Sequence, residues 1–142
     1  EVDSLPVVVA GYADTDAIAP GTVYSDESTI VQASDTIAMS SDAFTDIPGL
    51  TISLTLTRPS AVLQLVQVDF QREYFQKIAF RPLCDGQAKN GISRALRFSD
   101  IWQNVFLVAL WPGLSAGSHI FKTQATKGTL KNRKHCLVIM RI

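Results

Sequence analysis

Apolar and hydroxyl-bearing residues alternate strictly in the stretch Leu-Thr-Ile-Ser-Leu-Thr-Leu-Thr at residues 50–57. A two-residue period places one residue type on each face of an extended chain, so this segment predicts a half-buried β-strand. Residues 61–70 alternate in a similar way, with Gln64 and Gln67 between valines and leucines. No long segment carries an apolar stripe at the 3.6-residue helical spacing. The chain is therefore constrained to a fold built from strands.

About nine short strands are expected along the chain, separated by turn residues such as Pro48-Gly49 and Asp85-Gly86. Parallel sheets need crossover helices, which this pattern does not provide. Short, evenly spaced strands favour a sandwich or barrel. We predict a single all-β domain over residues 1–142, an antiparallel β-sandwich of jelly-roll type, with an acidic, loop-rich N-terminal segment at residues 1–43. A short helical turn is expected at 99–103, and the apolar run 105–111 fits a buried strand.

The charges are unevenly distributed although the 142-residue chain has zero net charge. Residues 1–57 hold nine acidic side chains and no Lys or Arg, and all 13 basic residues lie from Arg58 onward. Either the two halves interleave in one fold, or an acidic surface meets a basic surface on a neighbouring subunit. Apart from residues 131–135 the basic half has no dense run, so a nucleic-acid partner is not expected. No apolar run approaches the roughly 20 residues of a membrane helix.

Gly113, Ser115 and Gly117 fit the G-x-S-x-G pattern of a serine hydrolase, and His119 follows closely. That motif requires a helix directly after the serine, with the acid and then the histidine later in the chain. The segment after Ser115 has strand character, and no Asp or Glu follows Asp100. We interpret the glycines as turn residues between antiparallel strands, and we expect no enzymatic activity; a hydrolase using Ser115 is the weakest alternative.

The sequence contains no recognisable metal-binding motif. The cysteines, Cys84 and Cys136, lack a C-x-x-C spacing, and they could form one bridge or remain free thiols. His119 and His135 lack ligand spacing, so each is interpreted as a turn or strand-edge residue. No cofactor is expected, with calcium as an alternative because oxygen-rich side chains lie in loop-like sequence. The calcium candidates are Asp14, Asp16, Asp26 and Glu27, with Asp35, Asp42 and Asp46 in similar sequence.

Three segments carry a resemblance to known proteins: FTDIPGLTISLTLTRPSAVLQL (44–65), LSAGSHIFKTQA (114–125) and CLVIMRI (136–142). They resemble the opening strands, the late hairpin and the closing strand of small β-sandwich domains in bacteriophage tail and appendage proteins and related surface proteins. The resemblance covers roughly the C-terminal two thirds. It implies a non-enzymatic protein, often trimeric, that serves virion structure or attachment.

The leading functional hypothesis is a structural subunit that assembles with copies of itself, as a trimer or filament, in a virion appendage or extracellular fibre. The alternative is a carbohydrate-binding attachment module, for which Trp102 and Trp111 could stack on surface glycans, although both are expected to pack in the sandwich. A virion or secreted location follows from either hypothesis. The expected interface residues are a short apolar run and an aromatic loop tip: Pro6, Val7, Val8, Val9, Arg72, Tyr74 and Phe75.

Overall fold

The computed structural model describes residues 23–71, 77–89, 91–95 and 101–141. The described residues form strands and connections. They contain no helix, and therefore no helix that could cross a membrane. The strands are β1 (Val23–Ala33), β2 (Ile37–Met39), β3 (Thr45–Asp46), β4 (Ile52–Leu56), β5 (Ser60–Gln71), β6 (Lys77–Cys84), β7 (Gln87–Ala88), β8 (Ile92–Ala95), β9 (Gln103–Leu114), β10 (Gly117–Ala125) and β11 (Gly128–Arg141).

The strands form two antiparallel sheets. Sheet one has the order β1-β11-β5-β9, and β2 continues the β1 edge by pairing with β11. Sheet two has the order β3-β10-β6-β7; β4 shares the β3 edge of β10, and β8 shares the β7 edge of β6. When strands on a common edge are counted together, the described strands occupy eight positions, numbered in chain order and arranged 1-8-3-6 in sheet one and 2-7-4-5 in sheet two. This arrangement is a jelly roll, as predicted.

Several sequence-based expectations need correction. Residues 23–28 were expected to be loop but belong to β1, and β11 begins at Gly128, eight positions before the closing strand expected at Cys136. Gln103 opens β9, so the helical turn expected at 99–103 is wrong there; residues 99 and 100 lie outside the described ones. The strand 105–111 lies at the edge of sheet one instead of inside it. The expected strand at residues 6–10 also lies outside the described part of the chain.

The interior consists of two apolar clusters, one centred on Phe70 and Phe80 and the other on Phe121 and Trp111. On β5, Gln64 lies between Val62 of one cluster and Val66 of the other. The polar residues at this level are buried and contributed by three strands: Gln64, Thr123 and His135. A polar layer therefore divides the core.

Gln64 connects the polar layer across both sheets. Its Nε2 donates to the Lys122 carbonyl on β10 and to Nε2 of His135, each at 3.0 Å. Its Oε1 accepts a 2.8 Å bond from the Trp111 indole. His135 Nδ1 donates to the Leu50 carbonyl, so the ring is held as the neutral Nδ1–H tautomer. Burial lowers the pKa of His135, and the bond to the Leu50 carbonyl opposes that shift in part.

Opposite charges from the two halves of the chain meet within this fold. Arg133 is 2% exposed, and its guanidinium donates to Oδ1 of Asp35 at 2.7 Å and to the Pro48 carbonyl at 3.1 Å. Lys122 contacts Asp46 at 2.9 Å. These contacts agree with the interpretation that the acidic and basic halves interleave. Asp35 and Asp46, which lie in sequence similar to that of the calcium candidates, are therefore in ion pairs with basic residues.

Candidate interaction surface

Strand β9 is apolar on both faces. Val105, Leu107, Ala109 and Trp111 point into the core. The alternate positions point outward, where Phe106 is 53%, Val108 57% and Leu110 45% exposed. Two apolar faces on one strand produce an unbroken apolar run, which in sequence cannot be distinguished from a fully buried strand. For this reason the sequence pattern did not indicate that Phe106, Val108 and Leu110 are exposed.

The apolar outer side of β9 continues across sheet one. Leu110 and Val108 lie opposite Leu63 and Leu65 of β5. These lie opposite Val138 and Cys136 of β11 in turn, and Cys136 lies opposite Ile30 of β1, which is 58% exposed. We call this set the outer apolar face. It consists of Ile30, Leu63, Leu65, Phe106, Val108, Leu110, Cys136, Val138 and Met140.

Polar groups border the outer apolar face at one end. Gln67 lies between Phe106 and Lys134 in the ladder, and beyond it Asp69 accepts hydrogen bonds from Asn104 and Asn132 at 2.9 and 3.0 Å. None of the nine residues of the face is charged. Large exposed apolar patches on a folded domain commonly mark interaction sites, especially when polar residues surround them.

Strand β9 also lies at the edge of the described part of sheet one. Among the described strands it forms its ladder with β5 alone. A 12-residue strand in that position presents unpaired backbone donors and acceptors, which proteins usually protect with charge, proline or a covering element. Pro112, near the end of β9, removes one donor. The preceding segment 105–111 contains neither charge nor proline.

None of the interface residues expected from sequence, and only two of the four calcium candidates named first, fall within the described part of the chain. Pro6, Val7, Val8, Val9, Arg72, Tyr74 and Phe75 lie outside the described residues, as do Asp14 and Asp16. Asp26 and Glu27 belong to the backbone of β1 instead of a loop. Calcium binding therefore stays a prediction.

The G-x-S-x-G segment joins two strands in different sheets. β9 ends at Leu114 and β10 begins at Gly117, so no helix follows Ser115. The connection passes from sheet one to sheet two, which differs from the hairpin expected for this segment. His119 does lie next to Ser115, but its Nε2 donates to the Ser115 carbonyl at 2.7 Å. A general base needs a free ring nitrogen to accept the proton of a nucleophile. Nε2 of His119 is instead bonded to the backbone.

His119 and Asp85 form a close pair. Nδ1 of His119 lies 2.6 Å from Oδ2 of Asp85, and the other carboxylate oxygen accepts from the Ile120 N–H at 2.8 Å. The Asp85 contact, followed by the Ser115 carbonyl, raises the pKa of His119. Burial would raise the pKa of Asp85, but the hydrogen bonds from His119 and Ile120 outweigh it and lower that pKa.

Both histidines lie in strands and are buried. His119 is 7% exposed on β10, and His135 is fully buried on β11, between β1 and β5. Their expected assignment to turns or strand edges is therefore wrong. The sequence lacked a signal because the partners of each ring come from distant positions, such as Asp85 and Leu50.

The two cysteines are free thiols. Cys84 is buried at the end of β6, and Cys136 is half-buried on the outer apolar face. Burial, followed by the charge of neighbouring Asp85, raises the pKa of Cys84 to about 12. Cys84 is thus held as a thiol unless a cation replaces its proton.

Neither tryptophan forms an open platform for a sugar ring. Trp111 is buried, its indole bonds to Gln64, and the Lys89 ammonium lies 4.8 Å from its ring centroid. Trp102 is half-buried beneath Lys131, whose ammonium lies 4.0 Å from the ring centroid. The expectation that the tryptophans pack in the sandwich is confirmed for Trp111, which belongs to the core, whereas Trp102 is half-buried outside both described core clusters.

A polar groove of about 540 Å³ lies where β1 meets the bulged part of β11. The bulge follows Lys131, where Asn132 has a φ of 48° and the ladder register shifts. The groove is lined by Gln32, Ala33, Ser34, Asn132, Arg133 and Lys134. Amide, hydroxyl and ammonium groups therefore surround it.

No family model and no curated protein sequence matches the chain. Solved structures do match. PRD1 vertex protein P5 is 10% identical with a TM-score of 0.52, over 87% of this chain and 99% of that one. The C-terminal domain of EclA, a sugar-binding protein, is 14% identical with a TM-score of 0.47, over 75% and 78%. A family 35 carbohydrate binding module from Clostridium thermocellum is 15% identical with a TM-score of 0.40, over 82% and 98%.

These likenesses concern the fold. The likeness to PRD1 vertex protein P5 agrees with the antiparallel sandwich described above. Sugar-binding and viral proteins both occur among the structural neighbours. Identities of 10–15% transfer neither a ligand nor a partner to this chain.

Proposed function

We propose that this protein is a non-enzymatic structural subunit that assembles with copies of itself, through the outer apolar face of sheet one, into a virion appendage or extracellular fibre. The observation that carries the proposal is the row Phe106, Val108 and Leu110, each about half exposed on an edge strand. A second copy of the chain is the partner that these features fit best.

Charge favours a second copy as the partner. A two-fold contact places each patch against itself, so a charged patch would bring like charges together. The nine residues of the outer apolar face carry no charge, and the polar residues lie at its border. Self-association therefore buries apolar area without an electrostatic penalty at its centre.

The area of the outer apolar face is also appropriate for the core of an interface between two copies. Strand spacing of about 4.8 Å and a rise of about 3.4 Å per residue give a projected area of roughly 300–400 Å². A stable interface buries about 800 Å² on each partner, with an apolar core and a polar rim. The outer apolar face would supply that core, and the unpaired edge of β9 could add backbone hydrogen bonds to a neighbouring strand.

Analytical ultracentrifugation of Val108→Lys tests this proposal. Val108 is 57% exposed, so the charge should not disturb folding of the monomer, and circular dichroism would verify that. The wild-type chain is expected to sediment as a dimer or larger species, and Val108→Lys as a monomer. A lysine on an edge strand opposes both apolar contact and strand pairing.

Ile120→Lys is the matched control. Ile120 is 45% exposed on β10, in the other sheet, so its variant should assemble like the wild type. A wild-type chain that stays monomeric at its highest soluble concentration would overturn the proposal. Equal assembly of Val108→Lys and the wild type would do the same.

A second candidate function is carbohydrate binding in the polar groove at the β1–β11 edge. Its volume falls within the range of small-ligand sites, and its amide, hydroxyl and ammonium groups can bond to sugar hydroxyls. A glycan array with the wild type and Gln32→Ala tests this candidate. Binding lost in Gln32→Ala but kept in Val108→Lys would favour it, and absence of binding across the array would remove it.

A further inference from the structure

Three different metal-binding side chains meet at one end of sheet two. Cys84 is the last residue of β6, Asp85 follows it in the turn, and His119 lies on β10. Cys84 lies opposite Phe121 in the ladder, and His119 is two residues before Phe121, so both face the same side of the sheet. Their donor atoms all lie within 4.8 Å of one another. The strand pairing thus brings His119 to Cys84 and Asp85, which lie 35 and 34 positions earlier in the sequence.

Hydrogen bonds outside this cluster orient its donor atoms. His119 Nε2 donates to the Ser115 carbonyl, which leaves Nδ1 as the nitrogen that faces Asp85. The Ile120 N–H holds one oxygen of Asp85 and leaves the other directed at Nδ1. Metal-binding histidines and carboxylates are commonly fixed by such bonds to neighbouring backbone.

We propose that Cys84, Asp85 and His119 bind one divalent transition-metal ion, preferentially zinc, through Sγ, Oδ2 and Nδ1. A mixed sulfur, nitrogen and oxygen set suits zinc and disfavours calcium and magnesium, which take oxygen ligands. Binding replaces the thiol proton of Cys84 and the proton held between Nδ1 and Oδ2, so two protons leave as the ion enters.

The geometry needs little adjustment. Zinc bond lengths of about 2.0–2.3 Å place tetrahedral ligands roughly 3.3–3.8 Å apart. The donor atoms lie within 4.8 Å of one another, so the widest separation must shorten by about 1 Å, whereas Nδ1 and Oδ2, which are 2.6 Å apart, must separate by about 0.7 Å. The side chain of Asp85 is 45% exposed, which gives an ion access to the site and leaves the fourth position to solvent.

Cobalt titration of the untagged, chelator-treated chain tests the proposal. A thiolate ligand gives cobalt a charge-transfer absorption in the near ultraviolet. We expect this band to saturate at one equivalent and to disappear when zinc is added. It should be absent in Cys84→Ser and unchanged in Cys136→Ser, since Cys136 lies on the outer side of sheet one. A wild-type titration without the band, or a band that depends on Cys136, would overturn the proposal.

Asp85→Asn gives a second test that does not remove a buried group. Asparagine tolerates the φ of 50° at this turn position, so the fold should persist. Zinc should raise the melting temperature of the wild type, and its affinity should fall at least tenfold in Asp85→Asn. Asp46→Asn, which alters another carboxylate on sheet two, is the matched control. Equal zinc affinity in Asp85→Asn and the wild type would reject the site.

Discussion

At the scale of single residues, Gln64 makes three hydrogen bonds within the polar layer, to Lys122, His135 and Trp111. Gln64→Met would keep a similar shape but leave these buried groups without a partner, at about 1–3 kcal/mol each. We expect the free energy of unfolding to fall by at least about 2 kcal/mol in urea denaturation. Gln67→Met, at an exposed position on the same strand, should change it by less than about 0.5 kcal/mol.

Thr123 belongs to the same layer but behaves differently. Its hydroxyl is buried and has no hydrogen-bond partner among the residues that the structure describes. Thr123→Val replaces the hydroxyl with a methyl group of similar size, which removes the desolvation cost of the polar group. We expect the variant to be more stable by about 1 kcal/mol. A loss of stability in urea denaturation would contradict this account of the layer.

His135 should make stability depend on pH. Its pKa is lowered in the folded protein, so between that pKa and the ordinary value of 6.5 the unfolded chain binds more protons. The contribution of His135 is therefore complete above about pH 6.5 and is lost as the pH falls. Urea denaturation between pH 5 and 7 should show this slope.

His135→Asn provides the comparison for the pH series. The variant should be less stable throughout, because asparagine cannot reproduce both ring contacts, but its stability should decline less toward acid pH. The same acid slope in His135→Asn and the wild type would assign the effect to other groups.

At the scale of elements, the β6–β7 hairpin depends on two residues with positive φ. Asp85 has a φ of 50° and Gly86 a φ of 81°, as a type I′ turn requires. The Cβ added in Gly86→Ala would have no atom within 4 Å. The variant should therefore lose about 1–2 kcal/mol of stability from its backbone conformation alone. Gly113→Ala, which also meets no neighbour and has no positive φ, should be nearly neutral. Thermal or urea denaturation of both variants would test the difference.

The strands that sequence predicted well are those with one apolar and one polar face. Residues 50–57 contain β4, and residues 61–70 lie within β5. Strand β11 was predicted too short because Arg133 and His135 are polar but buried, each satisfied by partners distant in sequence. The bulge after Lys131 also resets the alternation. A hydrophobic pattern contains no information on such partners.

The candidate sites were less predictable than the fold. The outer apolar face depends on which strands lie side by side, and the cluster of Cys84, Asp85 and His119 depends on the register of β6 against β10. Neither relation has a local signature in sequence. The Asp-Gly turn beside Cys84 was recognised, but its contact with His119 required the pairing.

At the scale of the whole molecule, self-association should make stability depend on concentration. A partner that binds only the folded chain shifts the unfolding equilibrium toward the folded state. The melting temperature of the wild type should therefore rise with protein concentration, whereas that of Val108→Lys should stay constant. Calorimetry over a broad concentration range would measure both, and a constant wild-type value would contradict the proposed assembly.

The position of β11 has a consequence for biosynthesis. This strand, the last of the described strands in chain order, pairs with β1, β2 and β5, so it lies inside sheet one. Among the described strands β11 alone pairs with β1 and β2, so a nascent chain without residues 128–141 lacks the ladders that join these two strands to the rest of that sheet. We expect the sandwich to close only after translation has supplied these residues, and a ribosome stalled before them to carry a chain that proteases readily degrade.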